Sequence, residues 1–195
     1  MSSSKWALLE SLSVFGMIMV YIWLLRFSHP LAWIVILLLI VASHGIRRES
    51  PARLGFGARN LRSSAAALAP VVLALAAALL ACGWILGTIR PQSNLWGLLM
   101  YCGWGLFQQY VLNGYFMNRL NSPLLAAILF SAVHSPNWFL MLVTLAGGYF
   151  CAKAYLRFGN LCFLGLAHGL IGFLLYLVVP DTISHHLYVG PKWFS

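Results

Sequence analysis

Apolar residues run along this chain for about 20 positions at a time, and short stretches carrying proline, glycine, asparagine or arginine separate the runs. About 20 such residues, wound as an α-helix, cross the hydrocarbon of a bilayer. The first run extends from about Trp6 to Phe27, and His29-Pro30 turns the chain into a second, from about Leu31 to Gly45. A third, about Ser64 to Leu86, is rich in alanine and contains Pro70, which predicts a bend. The fourth is Leu95 to Leu120. Asn121 or Ser122 can cap the fifth, with Pro123 in its first turn and Pro136 as its stop. Asn137 reads as the cap of the sixth, which Gly159 closes after Phe158, and the seventh runs from about Asn160 to Val179, stopped by Pro180. The pattern predicts an all-α fold: a polytopic integral membrane bundle of about seven transmembrane helices forming a single domain over residues 1–195. Residues 180–195 are expected to be an aromatic interfacial tail, with His185 and His186 solvated.

One stretch breaks the apolar pattern at length. Ile46 to Arg62 carries five arginines against one glutamate, with Leu54, Phe56 and Leu61 between them. That pattern suits a loop or short helix lying on an anionic membrane surface. Glu10 interrupts the first run and no small-residue cleavage site follows it, so the first segment reads as an anchor rather than a leader.

Composition sharpens this picture. At 62% hydrophobic and 8% charged residues over 195 positions, the chain is too apolar to bury itself as a soluble domain. Its net charge of +9 does not indicate nucleic acid, because no basic stripe interleaved with aromatics lies on a soluble face. The cations instead fit membrane-flanking loops. With a cytoplasmic N-terminus, the inner loops hold Lys5, the five loop arginines, Arg119, Lys153 and Arg157, while Arg26, Arg90 and Lys192 lie outside with the C-terminus. Nine against three is the asymmetry the positive-inside rule expects. Cys82, Cys102, Cys151 and Cys162 all sit in apolar segments without CxxC spacing and read as reduced core residues.

Candidate chemistry lies inside the runs. Gln108, Gln109 and Asn113 occupy the middle of the fourth, and unpaired amides in hydrocarbon demand partners on neighbouring helices. Gln109 and Asn113 share a face at i, i+4, and Gln108 opens onto the adjacent one. His134 and His168 are the groups able to meet them. Gln108 stands 11 residues from Arg119 and His168 stands 11 from Arg157. At about 1.5 Å per residue, both lie roughly 16 Å from the same boundary. Intramembrane ionisable groups are functional candidates by default. The residues alone leave several uses open: interhelical hydrogen bonding, a ligand site, or bis-histidine ligation of a haem or pigment. Gly165, Gly169 and Gly172 form a strip beside His168, suited to close helix packing or to a groove.

The order of these motifs resembles the CAAX protease and bacteriocin-processing (CPBP) family of intramembrane glutamic-type metalloproteases. That family carries Glu-Glu-x-x-x-Arg, then Phe-x-x-x-His, then His-x-x-x-Asn. Here Gln108-Gln109-Tyr110-Val111-Leu112-Asn113 stands at the first motif, Phe130 to His134 matches the second in full, and His168 opens the third with Gly172 at its end. The likeness spans a CPBP-like core of roughly 47–179 and includes Leu54-Gly55-Phe56 in the lead-in loop. The resemblance implies catalytic positions at Gln108, Gln109, Asn113, His134 and His168, with His134 and His168 as metal ligands and zinc as the metal. It also implies a bacterial cytoplasmic membrane and cleavage near the C-terminus of lipid-embedded peptides. The departures change the expected outcome. A glutamine has no proton-accepting group and cannot serve as the general base. Gln109 and Asn113 put a neutral amide pair where the family has an ion pair. The expectation is a CPBP-like membrane protein with a charge-neutralised, non-catalytic site that binds a membrane segment, a lipid or a larger membrane complex. An intramembrane metallo-endopeptidase and a bis-histidine haem protein are the alternatives.

Overall fold

The computed structural model describes residues 3–58, 60–91 and 94–195, so Arg59, one of the five loop arginines, lies outside the described residues. Each of the seven predicted segments folds as a helix. The first is α1 (Ser3–Val20), continued by a wider π turn (Tyr21–Leu25), and the second and third are α2 (Trp33–Ile46) and α3 (Leu61–Leu86). The fourth begins as α4 (Leu95–Gln109), loosens into a π segment (Tyr110–Met117) and ends in the short α5 (Asn118–Leu120). The remaining three are α6 (Pro123–Ala132), α7 (Trp138–Phe158) and α8 (Leu161–Val178), followed by α9 (Asp181–Ser184) and two 3₁₀ turns (His185–Leu187 and Gly190–Phe194). The protein is an all-α membrane bundle, with no strand among the described residues. Four helical stretches, 5–25, 61–86, 138–158 and 161–178, are long and apolar enough to cross a bilayer. The second segment has about its expected length at 14 residues, and the fifth is shorter than expected at 10. A helix of 10 residues rises about 15 Å, half the hydrocarbon thickness. The fifth ends at Ala132, leaving three residues before the proline that was expected to stop it.

Local chemistry sets the boundaries. Asn94, Ser122, Asn137 and Asn160 each accept the backbone N–H three residues on, capping α4, α6, α7 and α8. Asn121, the alternative to Ser122, instead ends α5 in the left-handed region at φ 47°. Gly87 and Gly159 close α3 and α7 at φ 64° and 60°.

The tightest contact in the bundle is α4 against α8. A Cβ at Gly169 would stand 2.4 Å from the Cα of Cys102, and one at Gly105 would stand 2.6 Å from the carbonyl oxygen of Gly165. Both obstacles are backbone, so only separation of the helices would relieve them. Gly169→Ala is expected to lower stability by roughly 1–3 kcal/mol, the range of overpacking. At Gly172 the new atom would meet the Tyr101 ring at 3.4 Å, and Gly172→Ala should be nearly neutral. Thermal unfolding of the two variants in detergent separates them.

Two connections fold more closely onto the bundle than their polarity suggests. The arginine-rich loop turns Leu54 inward, 5% exposed, and packs Phe56 on Tyr110. Its backbone meets the α7–α8 corner: Gly55 accepts from the Leu161 N–H at 2.9 Å and Gly57 accepts from Asn160 at 3.0 Å. Leu54 and Phe56 therefore face protein, not lipid headgroups.

The tail likewise departs from a free interfacial strip. Asn137, having used its Oδ1 as a cap, donates through Nδ2 to the carbonyls of Ser184 (2.8 Å) and Tyr188 (3.0 Å). Gly190 N–H donates to Ser135 at 2.9 Å, and Asp181 pairs with Arg90 at 2.6 Å. His185 stacks on Trp193 at 3.7 Å between ring centroids, which corrects its expected solvation, whereas His186 is exposed as expected and pairs with Asp181 at 3.0 Å. His185, His186 and Leu187 all have positive φ, a conformation costing roughly 1–2 kcal/mol per non-glycine residue and held here by those contacts. Asn137→Ser keeps a capping oxygen but removes both tail donors. It should leave the helices folded while residues 181–195 become cleavable, as limited proteolysis with mass mapping would show.

Candidate functional site

The predicted polar residues come together from three helical segments. In the fourth segment, Asn113 Nδ2 donates to Gln109 Oε1 at 2.6 Å, the i, i+4 contact expected from helical spacing. Gln109 Nε2 donates in turn to Nδ1 of His168 on α8, at 2.8 Å. Gln109 and Asn113 are wholly buried, and the thiol of Cys151 on α7 also contacts Gln109. This chain of bonds fixes the Gln109 amide and the ring of His168. Asn113 lies in a run of buried residues, Leu112 to Met117, in the π segment, a loosened helix type that recurs at functional sites. Its Oδ1 has no partner.

The second half of the site lies where α6 ends. His134 Nδ1 donates to the carbonyl of Phe130 at 2.7 Å, the geometry that the Phe-x-x-x-His spacing produces over one helical turn. Its Nε2 is thereby left with the lone pair, facing the Gln108 amide nitrogen at 3.4 Å. The Phe130 ring packs edge-on against both imidazoles, with centroids 5.0 Å from His134 and 5.9 Å from His168. Gln108, His134 and His168 line one cavity of about 1040 Å³; Gln109 and Asn113 stand behind its wall. The walls are otherwise mostly aliphatic and aromatic side chains of the bundle.

The charge at this site is set by what is missing from it. The whole chain has three carboxylate side chains. Glu10 pairs with Arg47 (2.6 Å) and Arg119 (3.2 Å), Glu49 with Arg119 (2.8 Å), and Asp181 with Arg90 (2.6 Å). None faces the histidine pair. Among the described residues no three His, Cys, Asp or Glu side chains gather closely enough to hold a metal. Zinc takes imidazole, thiolate and carboxylate donors, and two imidazoles surrounded by amides fall short of that set. What the arrangement can do is hydrogen-bond a polar group at the wall of an apolar cavity.

Sequence reasoning missed the Glu10–Arg119–Glu49 cluster. Ser43 and Tyr115 donate to Glu10, and His44 bonds to Glu49 at 2.6 Å. The signal was present, since a carboxylate inside an apolar run requires a buried cation. Its partner, Arg119, lies 109 residues away.

A family model described as type II CAAX prenyl endopeptidase Rce1-like matches residues 92–174. That span contains all three motifs. Over those residues, 83 of the chain's 195, the protein is similar to the CPBP membrane-protease family. No curated protein and no solved structure matches the chain. Within the CPBP-like segment, the positions of the first motif carry amides and the two histidine motifs meet them across the cavity.

Proposed function

We propose that this CPBP-like protein does not hydrolyse peptides and instead holds an apolar, membrane-resident ligand in the cavity, against the neutral patch formed by Gln108, His134 and His168. The reading rests on one observation: every carboxylate side chain is committed to an arginine elsewhere, so no acidic base stands beside the histidines. At about 1040 Å³, the cavity is at the upper end of the roughly 300–1,000 Å³ range of ligand pockets. It suits a lipid chain or a short membrane segment better than a compact polar metabolite. The distribution of cations supports a cytoplasmic N-terminus.

The test is direct. The purified protein should turn over no membrane-embedded peptide, carry no stoichiometric metal and show no haem absorption, while retaining lipid that mass spectrometry detects. Gly147 lines the cavity with no atom within 4 Å of an added Cβ, so Gly147→Phe should displace that lipid. A second reading has its own observation. The Phe130 carbonyl fixes the His134 tautomer with a free Nε2, the form a general base needs. Peptide turnover abolished by His134→Ala would establish that reading and overturn the first.

A further inference from the structure

The cations of this protein divide by exposure. Among the described lysines and arginines all are exposed except Arg26, Arg90, Arg119 and Lys192. Arg90 and Arg119 are neutralised by Asp181 and by Glu10 with Glu49. Arg26 and Lys192 are half-buried and have no carboxylate partner; their charged groups meet only the rings of Phe27 (5.9 Å) and Tyr188 (4.0 Å). Both line the cavity. They sit on elements that touch: Arg26 follows the π turn of α1, and a Cβ at Gly190, two residues before Lys192, would stand 2.7 Å from the Ile22 side chain. Gly190 is also bonded to Ser135, next to His134, which places this pair of cations at the histidine end of the cavity.

Half-burying two cations without a counter-charge is unfavourable, and the chain has no Asp or Glu left to supply one. We infer that the missing anion belongs to the ligand, and that the cavity takes a lipid phosphomonoester: an apolar chain ending in a phosphate. A phosphate monoester carries about −1.5 to −2 charge at pH 7, matching two cations, where a carboxylate would leave one unmatched. Its oxygens accept from Arg26 and Lys192, with the Gln108 amide within the same cavity as a further donor. The chain extends along the apolar wall formed by Ile36, Ile40, Leu68 and Val72. At about 30 Å³ for a group the size of a water, the volume holds on the order of thirty such groups, so a long chain or a pair of chains fits. This inference rests on the ligand-binding reading above and adds the headgroup to it.

The experiment compares a fluorescent long-chain alkyl phosphate, the alcohol of the same chain, and inorganic phosphate, each titrated against the purified full-length protein. The alkyl phosphate should bind saturably, one per chain, and at least about tenfold more tightly than the alcohol, the ratio that 1.4 kcal/mol produces. Arg26→Ala with Lys192→Ala should erase that preference and leave the alcohol's affinity unchanged. Arg26→Lys with Lys192→Arg should retain the preference, which separates charge from folding. Arg53→Ala, removing an exposed loop cation, should change nothing. Inorganic phosphate should compete only weakly; competition equal to the lipid would overturn the chain's part in recognition. Equal affinity for phosphate and alcohol, or no response to the double alanine change, would overturn the headgroup while leaving the apolar cavity reading in place. Unsaturable binding of many lipids per chain would reduce the two cations to general membrane anchors. Indifference of both probes to Gly147→Phe would sink the cavity reading itself.

Discussion

Arg119→Met should unfold the protein at a far lower temperature than the native chain, with a loss of about 3–5 kcal/mol, the scale for removing one partner of a buried ion pair. The guanidinium is 1% exposed and joins three segments. It donates to Glu10 at 3.2 Å, to both oxygens of Glu49 at 3.0 and 2.8 Å, and to Ser43 at 2.9 Å. Without it, Glu49 keeps only His44 as a charge partner, and Glu10 is left to Arg47 and two hydroxyl groups. The two carboxylates would repel one another at the closed end of the bundle. Combining Arg119→Met with Glu10→Gln and Glu49→Gln removes the stranded charges and should recover most of the loss. If the triple variant is no more stable than Arg119→Met alone, the ion-pair account of this end is wrong.

The same cluster gives a pH dependence. Burial pushes the Glu49 carboxyl up, but hydrogen bonds and charges from Arg119 and His44 outweigh it and hold the group below its ordinary value of 4.5. A folded pKa below the unfolded one means that Glu49 contributes stability above about pH 4.5 and loses it as pH falls through the lower folded value. The native melting temperature should therefore drop on acidification below pH 4.5, and the Glu49→Gln variant should show a shallower drop.

Much of the bundle was legible because membrane helices write themselves in long apolar runs with capping residues at their ends. Ser122, Asn137 and Gly159 sit where local rules put them. The meeting of Gln109 with Asn113 followed from helical spacing; depth put Gln108 and His168 at one level, and the structure gives His168 to Gln109 and His134 to Gln108. Other features depended on contacts between distant segments, which periodicity does not record. The length of α6 is one, since the chain leaves the helix with three residues still to come before Pro136, the stop that local rules name. The docking of the tail is another. It rests on the second hydrogen-bonding group of Asn137, whose first group had already explained the residue as a cap. The ion-pair cluster is the clearest case, because Glu10 and Arg119 belong to different apolar runs and neither sequence neighbourhood names the other.

Returning carboxylates to the first motif should change the chemistry of the site. Gln108→Glu is nearly isosteric and places an acceptor where an amide nitrogen now stands 3.4 Å from His134 Nε2. In a cavity lined mostly by apolar groups, that carboxylate alone would resist ionisation and remain a neutral acid. Adding Gln109→Glu with Asn113→Arg supplies an ion pair at i, i+4 behind it, and the guanidinium offers a donor at a position where the Asn113 oxygen now has none. A carboxylate beside His134 and His168 then makes a three-donor set of the kind that catalytic zinc takes, with a fourth position open. The triple variant is expected to bind zinc stoichiometrically and to show weak cleavage of a membrane-embedded peptide, while the unmodified protein does neither. His134→Ala in the triple background should abolish both. Gln108→Ala in the native background should weaken ligand retention or stability by about 1 kcal/mol, the size of one intramembrane hydrogen bond. Zinc binding and turnover equal in the triple variant and the native chain would show that the amides already support hydrolysis, and the protein would then be an enzyme.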